Sequence, residues 1–113
     1  MLEISQTDHG GVTVLHAAGR IDSTTARQLE DAVSACIESG RVRLVVDLGA
    51  TDFLSSAGLR ALLGGAKRAR GQGGQLTLCA ATGGVSEVLD VAGFSALVGS
   101  HPGVAQAAAA LGG

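Results

Sequence analysis

A chain of 113 residues with 46% hydrophobic side chains is long enough for one packed core and too short for two ordinary domains, so a single domain over 1–113 is expected. Its formal net charge is −2 with only 8 Lys plus Arg, which gives no broad basic field and argues against direct DNA or RNA binding. Its apolar runs are broken well before the roughly 18 residues of a membrane span, and Met1-Leu-Glu-Ile-Ser5 lacks a signal peptide's basic-then-apolar order, so residence in the cytoplasm without membrane insertion is expected.

Taken in order, residues 2–7 and 12–18 read as two strands of a hairpin across Asp8-His-Gly-Gly11, whose glycines supply the positive φ of a tight connection. The first helix is predicted to begin near Ser23 or Thr24, with Leu29, Val33, Cys36 and Ile37 on one face and Gly40 at its stop. Leu44-Val-Val46 forms a buried strand that is read as running through Ser55-Ser56 straight into a second helix, where Leu59, Leu62, Leu63 and Ala66 recur at helical spacing. Lys67, Arg68 and Arg70, with Arg60 earlier, fall on the polar side of that helix. Gly71-Gln-Gly-Gly74 marks a turn into a strand over 75–80, and Thr82 opens a third helix with Val85, Val88, Leu89 and Ala92 inward and Gly93 at its end. A short last strand is placed near Ala96–Val98, before an Ala-rich terminal helix carrying Val104 and Leu111. The sum is an α/β domain: a mixed β-sheet of about five strands with about four α-helices packed against it. Cys36 and Cys79, each on an apolar segment, read as reduced, buried hydrophobes.

The period changes at Ser55-Ser56, which puts two hydroxyls on a helix N-terminus. Unpaired N–H groups and the positive dipole end make this a place where a phosphate dianion is tolerated. A plainer role for one of them is helix capping, with Ser55 accepting from the N–H of Ala57 or Gly58. Gly58, Gly64 and Gly65 inside the second helix each cost about 1 kcal/mol relative to Ala, and close packing on the sheet or at a partner surface would account for them.

Catalytic signatures are missing. A nucleophilic serine needs a base that is itself oriented by a third group, and His9, His16 and His101 belong to no recognisable motif of that kind. Gly-x-Ser-x-Gly does not occur, the glycines at 71–74 lack phosphate-loop spacing, and neither cysteine has a neighbour at metal-ligand spacing. The chain is read as a non-enzyme that takes no cofactor and no metal.

The string from Asp47 to Leu63 resembles the signature of bacterial anti-sigma factor antagonists, small STAS-domain proteins in which a strand ending in Asp-Leu leads to a phosphorylatable serine opening a helix. Three further landmarks are similar and stand in the family's order: Gly19-Arg-Ile-Asp22 with Ser23 and Thr24, Gly73-Gly-Gln-Leu-Thr-Leu-Cys79, and Val88-Leu-Asp-Val-Ala-Gly-Phe94. The resemblance implies a partner-switching regulator. Its partners would be a serine kinase that doubles as an anti-sigma factor, bound in the unphosphorylated state, and a PP2C-type phosphatase that resets the switch. Many phosphorylatable members read Asp-Ser-Ser/Thr-Gly-Leu, where this chain has Ser55-Ser56-Ala57-Gly58-Leu59. Ser56 falls on the acceptor position, with Ser55 as the alternative acceptor. The implied partner surface comprises Asp22, Ser23, Thr24, Ser55, Ser56, Ala57, Gly58 and Arg60, with Asp22 also readable as a helix-capping residue. The other function open to such a chain is a STAS interaction subunit with no phosphate cycle, in a signalling scaffold or beside a lipid-transport ATPase; Ala57 and the missing Asp favour it.

Overall fold

The computed structural model describes residues 1–112 as one mixed sheet with helices on both faces. Strands β1 (Leu2–His9) and β2 (Val12–Ile21) form the expected hairpin, with Gly10 and Gly11 at φ 59° and 84°, the two left-handed positions of a type I′ turn. Helix α1 (Ala26–Glu38), β3 (Arg43–Asp47), β4 (Thr51–Leu54), α2 (Ser56–Gly71) and β5 (Gln75–Cys79) follow. The chain ends with α3 (Gly83–Val91), α4 (Phe94–Val98), β6 (Ser100–His101) and α5 (Val104–Ala110). The sheet order is β1-β2-β3-β5-β6, antiparallel between β1 and β2 and parallel elsewhere, with β4 paired to β2 off that path.

Leu15, Leu44, Val46, Leu76 and Leu78 share the larger core with Leu29 and Val33 of α1, Leu62 and Ala66 of α2, Leu89 of α3 and Phe94 of α4. On the other face, Val12, Val14, Val45 and Cys79 pack against Ala107, Ala108 and Leu111. The predicted inward face of α1, Leu29, Val33, Cys36 and Ile37, is buried as its spacing required, and both cysteines are free and buried.

Four local expectations are corrected. The segment between β3 and α2 is not one continuous strand: β3 ends at Asp47 and a separate β4 follows. β2 is long enough for both, because β3 pairs with Thr13–His16 and leaves Gly19–Ile21 to β4, the register shifting between Gly19 and Arg20. Residues 96–98 form part of a helix rather than a strand. Phe94 and Val98, four apart, are buried while Ala96 and Leu97 are exposed, and the last strand comes after Gly99. Among the described residues the sheet therefore has six strands and the domain five helices. Finally, α1 begins at Ala26, two residues later than expected, and Ala92 is exposed beyond the end of α3.

Candidate functional site

Parallel pairing of β2 with β4 sets Ile21 beside Leu54, so the residues that leave the two strands, Asp22 and Ser55, emerge side by side. The Ser55 N–H donates to the Ile21 carbonyl at 2.9 Å, fastening the start of α2 to the end of β2. Ser55 is the N-cap: its Oγ accepts from the Gly58 N–H at 3.2 Å, and it is half-buried. Ser56, the first residue of α2, is exposed. Ser55 is thus occupied in capping, while Ser56 is exposed.

Gly58 is buried because there is no room for more. A Cβ there would lie 2.6 Å from Leu54 Cδ1, 2.7 Å from Ile21 Cγ2 and 3.2 Å from the Ile21 carbonyl oxygen. Helix α2 therefore presses its first turn onto the joint that carries Asp22 and Ser55. Ala57 is half-buried against the main core. Gly65 meets Val33 and Leu76 more loosely, and Gly64 meets nothing, so close packing explains two of the three helical glycines.

Asp22 is both a capping residue and a fixed anion. Its Oδ1 accepts from the Thr24 hydroxyl at 2.7 Å, the Thr24 N–H at 2.9 Å and the Thr25 N–H at 3.2 Å, closing the turn that leads into α1. These bonds, led by that of the Thr24 hydroxyl, hold the carboxyl down at about 2, so it is ionised at neutral pH. Its other oxygen lies 3.6 Å from Arg20 Nε, and the Arg20 guanidinium stacks over Phe53, 4.3 Å from the ring centroid. Arg20 and Phe53 extend the predicted surface; neither was singled out from the sequence, because their contact depends on the β2–β4 register.

Ser23, Thr24 and Arg60 are exposed. Arg60 lies one turn beyond Ser56 and lines a charged groove between α1 and α2 with Arg27, Asp31 and Arg68. Leu59, on the turn between them, forms one wall of an apolar depression with Val88 and the almost fully exposed Val91. The structure gathers Asp22, Ser23, Thr24, Ser55, Ser56, Ala57 and Gly58 at one end of the β2–β4 pair, with Arg60 on the flank. Among the described residues no helix is long and apolar enough to cross a membrane, and no cluster of His, Cys, Asp and Glu could hold a metal ion.

A strand-end joint with an exposed serine opening a helix is the arrangement of a STAS domain, and the family model of that domain matches residues 3–107; the chain belongs to the STAS family. Within it, the chain is 40% identical over 84 residues to BtrV of Bordetella bronchiseptica, which bears the name of an anti-sigma factor antagonist; the match covers 74% of this chain and 72% of BtrV. It is 41% identical over 61 residues to the anti-sigma-F factor antagonist RsfB of Mycobacterium tuberculosis, over 54% of this chain and 50% of RsfB. An anti-sigma factor antagonist from Mycobacterium paratuberculosis superposes with a TM-score of 0.91 at 26% identity, over 100% of this chain and 96% of the other. The chain is therefore a non-enzymatic regulatory protein of the anti-sigma factor antagonist group.

Proposed function

We propose that this protein works by partner switching, with Ser56 as the phosphate acceptor. Unphosphorylated, it binds a serine kinase that is also an anti-sigma factor and so frees the sigma factor. Phosphorylation of Ser56 breaks that complex, and a PP2C-type phosphatase restores it. The observation that carries this reading is the division between the serines: Ser56 is exposed, whereas Ser55 Oγ is engaged by the Gly58 N–H.

The docking surface runs from Asp22, Ser23 and Thr24 across Ser56 to Arg60 and the apolar wall at Leu59, Val88 and Val91. Phosphate adds about −1.5 to −2 charge beside the ionised Asp22. In a closed interface that charge is desolvated and repelled, while in the free protein the N-terminus of α2 and open solvent accommodate it. A loss of about 3 kcal/mol would lower affinity roughly a hundredfold, since about 1.4 kcal/mol is tenfold.

With the cognate kinase and ATP, intact mass is expected to rise by one phosphate in the wild type and in Ser55→Ala, and to stay unchanged in Ser56→Ala. Ser56→Asp is expected to weaken kinase binding with an unaltered circular dichroism spectrum. One observation favours a second reading, a constitutive interaction subunit of a signalling scaffold or a lipid-transport ATPase: Ala57 and Ser55 stand where many phosphorylated relatives carry a hydroxyl and an Asp. No phosphate gain with the cognate kinase would establish that reading over ours.

A further inference from the structure

A hydroxyl, an imidazole and a carboxylate line up on the sheet face that α5 leaves open. α5 packs on β3, β5 and β6 and over Val12 and Val14 of β2, while Thr7 of β1 stays exposed and His16 of β2 half-exposed. There Thr7 Oγ1 lies 2.8 Å from His16 Nε2, and His16 Nδ1 lies 2.7 Å from Asp47 Oδ2. The other Asp47 oxygen accepts from the Gly49 N–H at 2.9 Å. Strand register builds the row: His16 pairs directly with Asp47, and Thr7, opposite Val14, sits one diagonal step from His16. Thr7 is exposed and the other two are half-buried, so solvent and small molecules reach the hydroxyl.

A carboxylate only accepts, so in the neutral imidazole with Nδ1–H donating to Asp47, Nε2 presents its lone pair to Thr7. The Thr7 hydroxyl is then the donor. This is the relation of nucleophile, base and orienting acid in an acyl-transfer triad. We infer that Thr7 is an activated acceptor hydroxyl that takes an acyl group from activated esters or thioesters. As Thr7 Oγ1 bonds to the acyl carbon, His16 Nε2 takes its proton; collapse of the adduct expels the alkoxide or thiolate, which recovers that proton from Nε2. The products are a Thr7 ester and a free alcohol or thiol. Asp47 moves no proton and acts as a positioning residue.

The strand also explains why the acceptor would not turn over. Arg20 N–H bonds to Met1 O, and the tight turn closes on the His9–Val12 pair, so odd-numbered residues of β1 bond to β2. The Thr7 N–H is thereby committed to Val14 and cannot receive an oxyanion. Acylation and hydrolysis both pass through such an oxyanion, so only an ester or thioester with a good leaving group reacts, and the Thr7 alkyl ester it leaves should accumulate. The titratable groups that share this face are Asp47 and Arg43 on β3, Glu3 and His9 on β1, the Cys79 thiol beyond Asp47 on β5, and His101 beside Cys79 on β6.

The full-length chain is treated with p-nitrophenyl acetate and followed by intact mass, peptide mapping and hydroxylamine, which removes esters and leaves amides. One hydroxylamine-labile acetyl on Thr7 is expected, retained in Thr7→Ser, absent in Thr7→Val, and formed about a hundredfold more slowly in His16→Gln. Asp47→Asn should slow the reaction about tenfold, because the imidazole loses the acceptor that orients it. Acetyl groups confined to amines, or Thr7 acetylating equally fast in His16→Gln, would overturn the proposal. Should that variant unfold, Asp47→Asn decides: slower acetylation of Thr7 supports the proposal, and an undiminished rate overturns it.

Discussion

Three glycines within eight residues of one helix allow a graded test of how α2 is seated. Replacing any of them by Ala gains about 1 kcal/mol of helix propensity, so differences among the variants report packing alone. At Gly58 the new methyl would stand 2.6 Å and 2.7 Å from carbon atoms of Leu54 and Ile21, which are 2% and 0% exposed, and 3.2 Å from the carbonyl that holds Ser55. Neither side chain has space to retreat into, which puts the strain near the upper end of the about 1–3 kcal/mol typical of overpacking. Gly58→Ala should therefore destabilise by about 2 kcal/mol net. At Gly65 the nearest atoms are at 3.0 Å and 3.3 Å, and gain and strain should cancel to within about 0.5 kcal/mol. At Gly64 nothing lies within 4 Å, so Gly64→Ala should stabilise by about 0.5–1 kcal/mol. Urea unfolding followed by circular dichroism reads the order directly, with the Gly58→Ala midpoint about 1 M or more below wild type. A Gly58→Ala midpoint at or above wild type, or a Gly64→Ala midpoint as low as that of Gly58→Ala, would refute this account of the seating.

The paired serines should differ in stability as they do in role: Ser55→Ala should cost about 1 kcal/mol of unfolding free energy through loss of the cap, and Ser56→Ala less than about 0.5 kcal/mol. Leu62, fully buried beneath α2, should cost about 2–5 kcal/mol when cut to Ala, measured by the same unfolding curves. Asp22 sets an acid limit. Its folded carboxyl is depressed from an ordinary 3.8 to about 2, so the stability it contributes is present above pH 4 and is lost as pH falls through about 2. Urea midpoints measured across that window should fall less steeply for Asp22→Asn than for the wild type.

Long amphipathic segments were readable because their burial follows a single period. Spacing alone gives the inward face of α1; on α2 it gives Leu62 and Ala66, while Leu59 and Leu63 are only half-buried and Ala61 and Ala69 complete the face, and residue type and position give the Ser55 cap. Short elements offered no such signal. β4 has four residues and an exposure pattern that does not alternate, and it exists because β2 outruns β3. α4 has five, too few to separate a strand from a helical turn before the burial of Phe94 and Val98 is known. At the candidate site, the serines and Asp22 lie in local motifs that the sequence alone singles out. The Arg20–Phe53 stack and the Thr7–His16–Asp47 row depend on which strands lie side by side, information that no spacing in the chain contains.

The bond from Ser55 N–H to Ile21 O leaves the hydroxyl of Ser56 with almost no slack. A serine in a loose segment can be drawn out and threaded into a deep catalytic cleft; one riveted to the rim of a sheet cannot travel. Any enzyme that adds or removes a group at this position must bring its chemistry to a preformed surface. It must therefore recognise the folded domain as a whole, and short peptides copied from residues 51–63 should make poor substrates.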